Sequence, residues 1–262
     1  MATVASQLKN GVLKLTLNRP EVHNAMDLAM IAELTRAFKQ PETNLEIRMV
    51  HLSGKGKSFC SGADLHYMKS MASFNLEKNQ ADSINLFEMF EAVLKCSVPV
   101  IAYLHGSVMG GGMGLAAACD YVAAEEGTKF CFSEVKLGLV PAVISPFVFR
   151  KMENFLAREM MLTARLFESE EAKRGHLVQF VGDRSSCKKQ LNYLSRQILK
   201  AGPEAVRETK RLLNFVSENS SWSDVKEKAT RVIAERRVSP EGQEGIGAFF
   251  EKRKPQWRQE NL

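Results

Sequence analysis

The run Val108-Met109-Gly110-Gly111-Gly112-Met113-Gly114-Leu115 places three consecutive glycines ahead of an apolar, alanine-rich segment. Glycine leaves the main chain bare, and the first N–H groups of a helix have no intrahelical partner and sit at its positive end. An anion, or an oxyanion that develops during a reaction, suits such a place. The glycines alone fit a tight turn with close helix packing better than a binding site, so their surroundings must decide between the two.

Upstream, Ser61-Gly62-Ala63-Asp64 repeats the arrangement. It follows the strand-like Ile47-Arg-Met-Val-His-Leu52 and a Gly54 to Ala63 loop, and it leads into a helix beginning at Asp64. Two loops of this kind can aim two N–H donors at one oxygen, and the loss of a single such donor typically costs about two to three powers of ten in rate. Further out, Gly11 to Leu17 alternates as a half-buried strand, Asn18-Arg19-Pro20-Glu21 breaks it, and a helix capped by Asp27 runs to about Phe38. The polar stretch Ser73 to Asn79 reads as a mobile connection and Ile84 to Leu94 as an amphipathic helix. Val98 to Leu104, Tyr121 to Ala124 and Lys129 to Phe132 read as strands. From Phe147 onward helical periodicity dominates, with Gly175 and Gly202-Pro203 as punctuation and Ser169 and Ser239-Pro240 as helix starts. Strand, strand, helix recurs, which gives an α/β core over residues 1–200 and a helical C-terminal region over 201–262 within the same fold.

The length of 262 residues and 45% hydrophobic content suit a large buried core. No apolar run approaches the ~18 residues of a membrane span, and Met1 to Ser6 lacks the basic and apolar regions of a signal peptide, so a cytoplasmic, non-membrane protein is expected. Cys60, Cys96, Cys119, Cys131 and Cys187 form no CxxC pair and have no histidine at ligand spacing, which points to reduced core thiols and no metal site. The net charge of +6 invites anionic ligands, but the basic residues are scattered apart from Lys252-Arg253-Lys254, and no aromatic-basic signature accompanies them. Nucleic acid is therefore a weak expectation.

Gly62-Ala63-Asp64, the triglycine with Cys119-Asp120 behind it, and Phe132-Ser-Glu134-Val-Lys-Leu-Gly138 lie in the order and spacing of the crotonase superfamily, which this chain resembles over nearly its whole length. Asn18-Arg19-Pro20, His23-Asn24-Ala25, the Glu171-Ala172 to Val178 segment and Glu244-Gly245-Ile246 to Pro255 extend the match. The resemblance implies a crotonase-like spiral of ββα repeats, an acyl-CoA thioester substrate with no cofactor beyond that coenzyme A, and an enolate oxygen held by the backbone N–H groups of Ala63 and Gly111. It places Gly62 and Gly110 in the two donor loops and His23, Asn24, Ala25, Asp64 and His66 along the coenzyme path. Lys252 and Lys254, with Arg253, are carried over as contacts to the CoA phosphates, and a homotrimer or hexamer is implied. Asp120 reads as structural. Glu134, twenty residues beyond Gly114, matches the family's acid/base carboxylate.

Two positions depart from the pattern. Hydratases with two catalytic glutamates carry the first of them where this chain has Gly114, which predicts a single-carboxylate enzyme with an enlarged pocket. After Pro141 the chain continues Ala142-Val143-Ile144-Ser145-Pro146, bulky and stiff, which predicts a reshaped wall beside Glu134. That segment and the Glu-Val-His-Asn-Ala opening resemble the branch associated with methylglutaconyl-CoA and isohexenylglutaconyl-CoA hydration. Hydration of a 2-enoyl-CoA is the leading expectation, Δ3,Δ2-enoyl-CoA isomerisation the alternative because it needs one base, and a non-catalytic acyl-CoA or RNA binder the third.

Overall fold

The computed structural model describes residues 2–218 and 221–258. Two hydrogen-bonded ladders run side by side through it. The larger joins β1 (Val4–Lys9), β2 (Val12–Leu17), β3 (Met49–Gly54), β4 (Val100–Leu104), β6 (Tyr121–Glu125) and β9 (Phe180–Gly182) in the order β1-β2-β3-β4-β6-β9. Only β1 and β2 pair antiparallel; every later pairing is parallel. The smaller joins β5 (Ser107–Met109), β7 (Lys129–Cys131) and β8 (Phe167–Glu168), and the Met26–Ala63 and Cys60–Val108 bridges extend its line. Each turn of the chain thus lays one strand in the first ladder and a shorter piece in the second before a helix carries it back, because parallel neighbours need a crossover. This is the ββα spiral.

The helices are α1 (Leu28–Thr43), α2 (Leu65–Met71), α3 (Leu76–Leu94), α4 (Gly111–Ala118), α5 (Ser145–Lys151), α6 (Asn154–Thr163), α7 (Ser169–Arg174), α8 (Arg184–Lys200), α9 (Pro203–Glu218), α10 (Trp222–Val238) and α11 (Pro240–Phe250). Asp27 caps α1 through the Met30 amide and Ser239 caps α11 through the Gly242 amide, as the sequence signals require. Of the stretch expected to be a mobile connection, Ser73 to Asn75 do join α2 to α3, but Leu76 to Asn79 are already the first turn of α3. Asn75 accepts from the Lys78 amide, and the polar residues that follow form the exposed side of a helix whose buried side appears only at Met89, Phe90, Ala92 and Val93. Strand β1 escaped the reading because one buried residue in six gives no alternation, and β5, β8 and β9 because two or three residues carry no period.

Leu13, Leu15 and Leu17 of β2, Val50 and Leu52 of β3, Ala102 and Leu104 of β4 and nearly all of α4 face one core. The other face of the large sheet, at Val12, Met49, Ile101 and Ala123, is covered by Cys187, Leu191 and Leu199 of α8. Leu213 and Val216 of α9 are exposed, and its buried side chains are Arg207 and Lys210. Arg207 donates to Pro41 O, Ser97 Oγ and Ile47 O, and Lys210 to Val98 O and Asp120 Oδ2. Two cations capping main-chain carbonyls thus fasten the C-terminal helices to the spiral. All five cysteines are buried free thiols.

Candidate active site

The two glycine loops meet because their strands are bridged. Cys60 N donates to Ser107 O at 3.1 Å and Met109 N to Cys60 O at 2.9 Å, which brings the end of the first loop beside β5. Met26 N donates to Gly62 O and Asp64 N to Met26 O, both at 2.8 Å. In such a parallel bridge the residue between the two bonds turns its own N–H to the opposite side. That residue is Ala63, and its amide makes no bond among the described residues.

On the second loop, Gly110 adopts φ +47 and ψ −116, a conformation that side chains avoid, and hands the chain directly into α4. Its own N–H is held by Cys131 O at 3.1 Å, whereas Gly111 opens α4 with an unpaired amide. A Cβ built on Gly110 would lie 3.7 Å from Gly62 Cα and 3.6 Å from Glu134 Oε1. Both donor loops and the carboxylate therefore converge on one spot.

Glu134 begins a short 3-10 turn over Glu134–Leu137 that ends at Gly138, φ +70. Its Oε2 is buried with no hydrogen-bond partner among the described residues. Burial pushes the carboxyl above its ordinary range, and a bond from its own backbone N–H only partly opposes this. A desolvated carboxylate with a free oxygen, next to two unpaired amides, is the arrangement that proton transfer at an enolate requires.

Beneath the Ala63 loop lies a polar clamp. Arg19 Nη2 donates to Asp64 Oδ2 at 2.9 Å and Nη1 to Ala25 O at 2.7 Å, and Asp27 Oδ2 stands 3.1 Å from the same guanidinium. Asp64 also accepts from the His66 and Tyr67 amides and so caps α2. Burial pushes the Asp64 carboxyl up, but the bonds from the Tyr67 amide, Arg19 and the His66 amide outweigh it and hold the group below its ordinary value.

The other expected site residues divide. His23 takes φ +54, with Nδ1 3.1 Å from Ser58 Oγ, and its carbonyl accepts from Ser61 N, so it flanks the first loop. Asn24 is fully buried and spends its amide on Lys55 O, Ser58 O and Arg19 N, leaving nothing for a ligand. His66 and Lys252 are exposed, and so is Lys254. Arg253 is held by Glu244 and Glu251, and Trp257 Nε1 donates to Lys200 O, so these bonds tie the C-terminal segment to α8 and α11. Asp120 is structural as expected, accepting from Val100 N and Lys210 Nζ.

The pocket expected at Gly114 does not exist. A Cβ there would lie 2.7 Å from both Ile144 Cγ2 and Phe90 Cζ, so two large side chains already occupy the volume that glycine was expected to open. Of the bulky segment after Pro141, Ile144 is the residue that packs against Gly114. Neither Phe90 nor Met26, whose Cε would stand 2.1 Å from a Cβ on Gly111, carried any local signal, because each looks like an ordinary core residue of its helix or loop.

A spiral of ββα units with two converging backbone donors and one buried carboxylate defines an acyl-CoA enzyme of the crotonase superfamily. The enoyl-CoA hydratase/isomerase family profile matches residues 7–260, and the chain belongs to that family. A putative enoyl-CoA hydratase of Thermus thermophilus is 33% identical over 249 residues, covering 95% of this chain and 98% of that one. Among solved structures, an enoyl-CoA hydratase from Shewanella pealeana superposes with a TM-score of 0.93 at 35% identity, covering 97% of this chain and 96% of its own. Pseudomonas aeruginosa AtuE does so with a TM-score of 0.94 at 34% identity, covering 98% and 100%. Among the described residues no helix is long and apolar enough to cross a membrane.

Proposed function

We propose that this protein adds water to a 2-enoyl-CoA with Glu134 as its single acid/base group. The observation that carries this reading is the buried, unpartnered Oε2 of Glu134 beside the Gly62 and Gly110 loops. Glu134 removes a proton from water as the water oxygen bonds to C3, and the electron pair of the C2=C3 bond moves toward the thioester carbonyl. The resulting enolate oxygen is held by the Ala63 and Gly111 amides until Glu134 returns the proton to C2. Atoms and charge balance with one carboxylate, and the reading calls for no cofactor beyond the coenzyme A of the substrate.

The substrate is an acyl-CoA whose tail lies in a groove of about 280 Å³ between α3 and the Ala142-Val143 segment, lined by Gln80, Ser83, Ile84 and Phe87. A methylglutaconyl-type acyl group, which the sequence resemblance suggests, brings a carboxylate that only Gln80 and Ser83 could meet within that lining. Lys252 and Lys254 supply charge for the CoA phosphates, and the working unit is a homotrimer or hexamer. Phe155 and Leu162, seven residues apart on one face of α6 and 73% and 76% exposed, suit burial in such an assembly, which sedimentation measures directly.

Isomerisation of a 3-enoyl-CoA is the second reading, favoured by the hydrocarbon at Gly114: Glu134 takes a proton from C2 and returns it to C4, with no water consumed. Product mass separates the two, since hydration adds one water and isomerisation adds nothing. Glu134→Gln is expected to abolish either reaction in a folded protein, and near wild-type turnover by that variant overturns both.

A further inference from the structure

Hydration with one carboxylate leaves the attacking water short of a partner. Glu134 can take one of its protons, but a water held at a single point swings away from C3, and two fixed partners are needed to define its position. The first turn of α4 supplies no second one. Gly114 brings no side chain, and the atoms nearest to a Cβ built there belong to the hydrocarbon of Ile144 and Phe90.

Ser133 borders the space beside Glu134. A Cβ built on Gly110 would lie 3.9 Å from Ser133 Oγ, against 3.6 Å from Glu134 Oε1 and 3.7 Å from Gly62 Cα, and apart from the chain neighbours of Gly110 nothing lies nearer. The space against this bare main chain is therefore open, and two side-chain oxygens from adjacent residues face it across from the Gly62 loop. Asn24 and Asp64, the other polar side chains around the loops, are already committed to main-chain groups and Arg19. Ser133 is half-buried, and its hydroxyl makes no hydrogen bond among the described residues, not even to cap the 3-10 turn that it precedes. Its position is fixed from both sides. Phe132 is fully buried with its ring 6.2 Å from that of Phe167, and Cys131 O accepts from the Gly110 amide at 3.1 Å. Beyond it, Ser133 O accepts from Lys136 N at 3.2 Å and Glu134 O from Leu139 N at 3.1 Å.

We propose that Ser133 Oγ is the second anchor of the attacking water. The water gives one O–H to Glu134 and the other to a lone pair of the Ser133 hydroxyl, which turns a lone pair of the water oxygen toward C3. Glu134 removes its proton as the O–C3 bond forms, and the electron pair of C2=C3 moves toward the thioester oxygen. Ser133 keeps its own proton throughout, so its part is to hold and aim. This role rests on the hydration reading above, and isomerisation, in which no water reacts, gives Ser133 nothing to do.

The test runs wild type, Ser133→Ala and Ser133→Thr through two assays. One is hydration of a 2-enoyl-CoA, read by product mass. The other is uptake of deuterium at C2 of a saturated acyl-CoA in heavy water, which needs Glu134 and the two amides but no attack at C3. A hydrogen bond of ordinary strength corresponds to about tenfold in rate, so Ser133→Ala is expected to lower kcat/KM for hydration by about tenfold and to leave C2 exchange within about twofold. Ser133→Thr keeps the hydroxyl and is expected to recover most of the hydration. Equal losses in both assays overturn the role, because they place Ser133 in support of the fold or of Glu134 itself, and Ser133→Thr as slow as Ser133→Ala overturns the part given to the hydroxyl. Wild type that exchanges C2 but adds no water overturns the hydration reading and this role with it. Wild-type hydration left undiminished by Ser133→Ala overturns the role of Ser133 alone.

Discussion

Replacing Arg19 by leucine is expected to damage stability and catalysis through one contact. The guanidinium is the partner of Asp64, whose side chain is 6% exposed, and it also holds Ala25 O one residue before the Met26–Ala63 bridge. Removing one member of a buried ion pair costs about 3–5 kcal/mol because the other charge is left uncompensated. Asp64 keeps its bonds from the His66 and Tyr67 amides, and Arg19 is itself 19% exposed, so the lower end applies. For a chain of this size a loss of about 3 kcal/mol is roughly 6–12 °C in Tm. The Gly62-Ala63 peptide is aimed by the same clamp, so kcat is expected to fall by up to about a hundredfold while KM stays within a few-fold, the signature of a donor that acts mainly in the transition state. Differential scanning fluorimetry and initial rates on an enoyl-CoA read both effects. A lowered Tm with unchanged kcat would show that the clamp supports α2 without aiming Ala63, and no change in either would refute the reasoning outright. The same contact shapes the acid limb. Because the folded-state pKa of Asp64 is depressed, its stabilisation is present above the unfolded carboxyl value of about 3.9 and is lost as pH falls through the folded value, so Arg19→Leu should unfold at higher pH than wild type.

Arg207→Met orphans Pro41 O, Ile47 O and Ser97 Oγ in the interior, and urea unfolding should show a loss of about 3 kcal/mol or more, far above the effect of a surface arginine. Lys151 donates to Ala116 O and Cys119 O at the C-terminal end of α4, and burial brings its amine down to about 8. The folded state therefore releases this proton first, and between pH 8 and the unfolded value of about 10.4 wild type should gain stability relative to Lys151→Met as pH rises, which paired denaturation midpoints measure. For Glu134, the raised carboxyl pKa places the acid limb of kcat/KM above the ordinary glutamate value of about 4.3; a limb at or below that value would contradict a desolvated base.

What the sequence disclosed and what it withheld divide along a physical line. The two glycine loops were legible because glycine triplets and Gly-Ala-Asp are main-chain devices: their meaning lies in φ/ψ and exposed amides, which residue identity fixes locally. Glu134 was legible from its spacing within the family pattern. The wall at Gly114 was misread because a missing side chain looks like space in one dimension, and only tertiary packing decides who takes the space. Ile144, thirty positions further on, and Phe90, on a different helix, take it. The N-terminal half of α3 was missed for the converse reason, since its exposed polar face reads as a loop until Asn75 is seen capping it. In a fold whose strands of two or three residues are held by ladders rather than by their own periodicity, a departure at one motif position should be judged by what packs against it. By that criterion Gly114 marks a position closed by Ile144 and Phe90, and on the function proposed above the chemistry open to the site is what Glu134 alone can shuttle between water or carbon and an enolate held by Ala63 and Gly111.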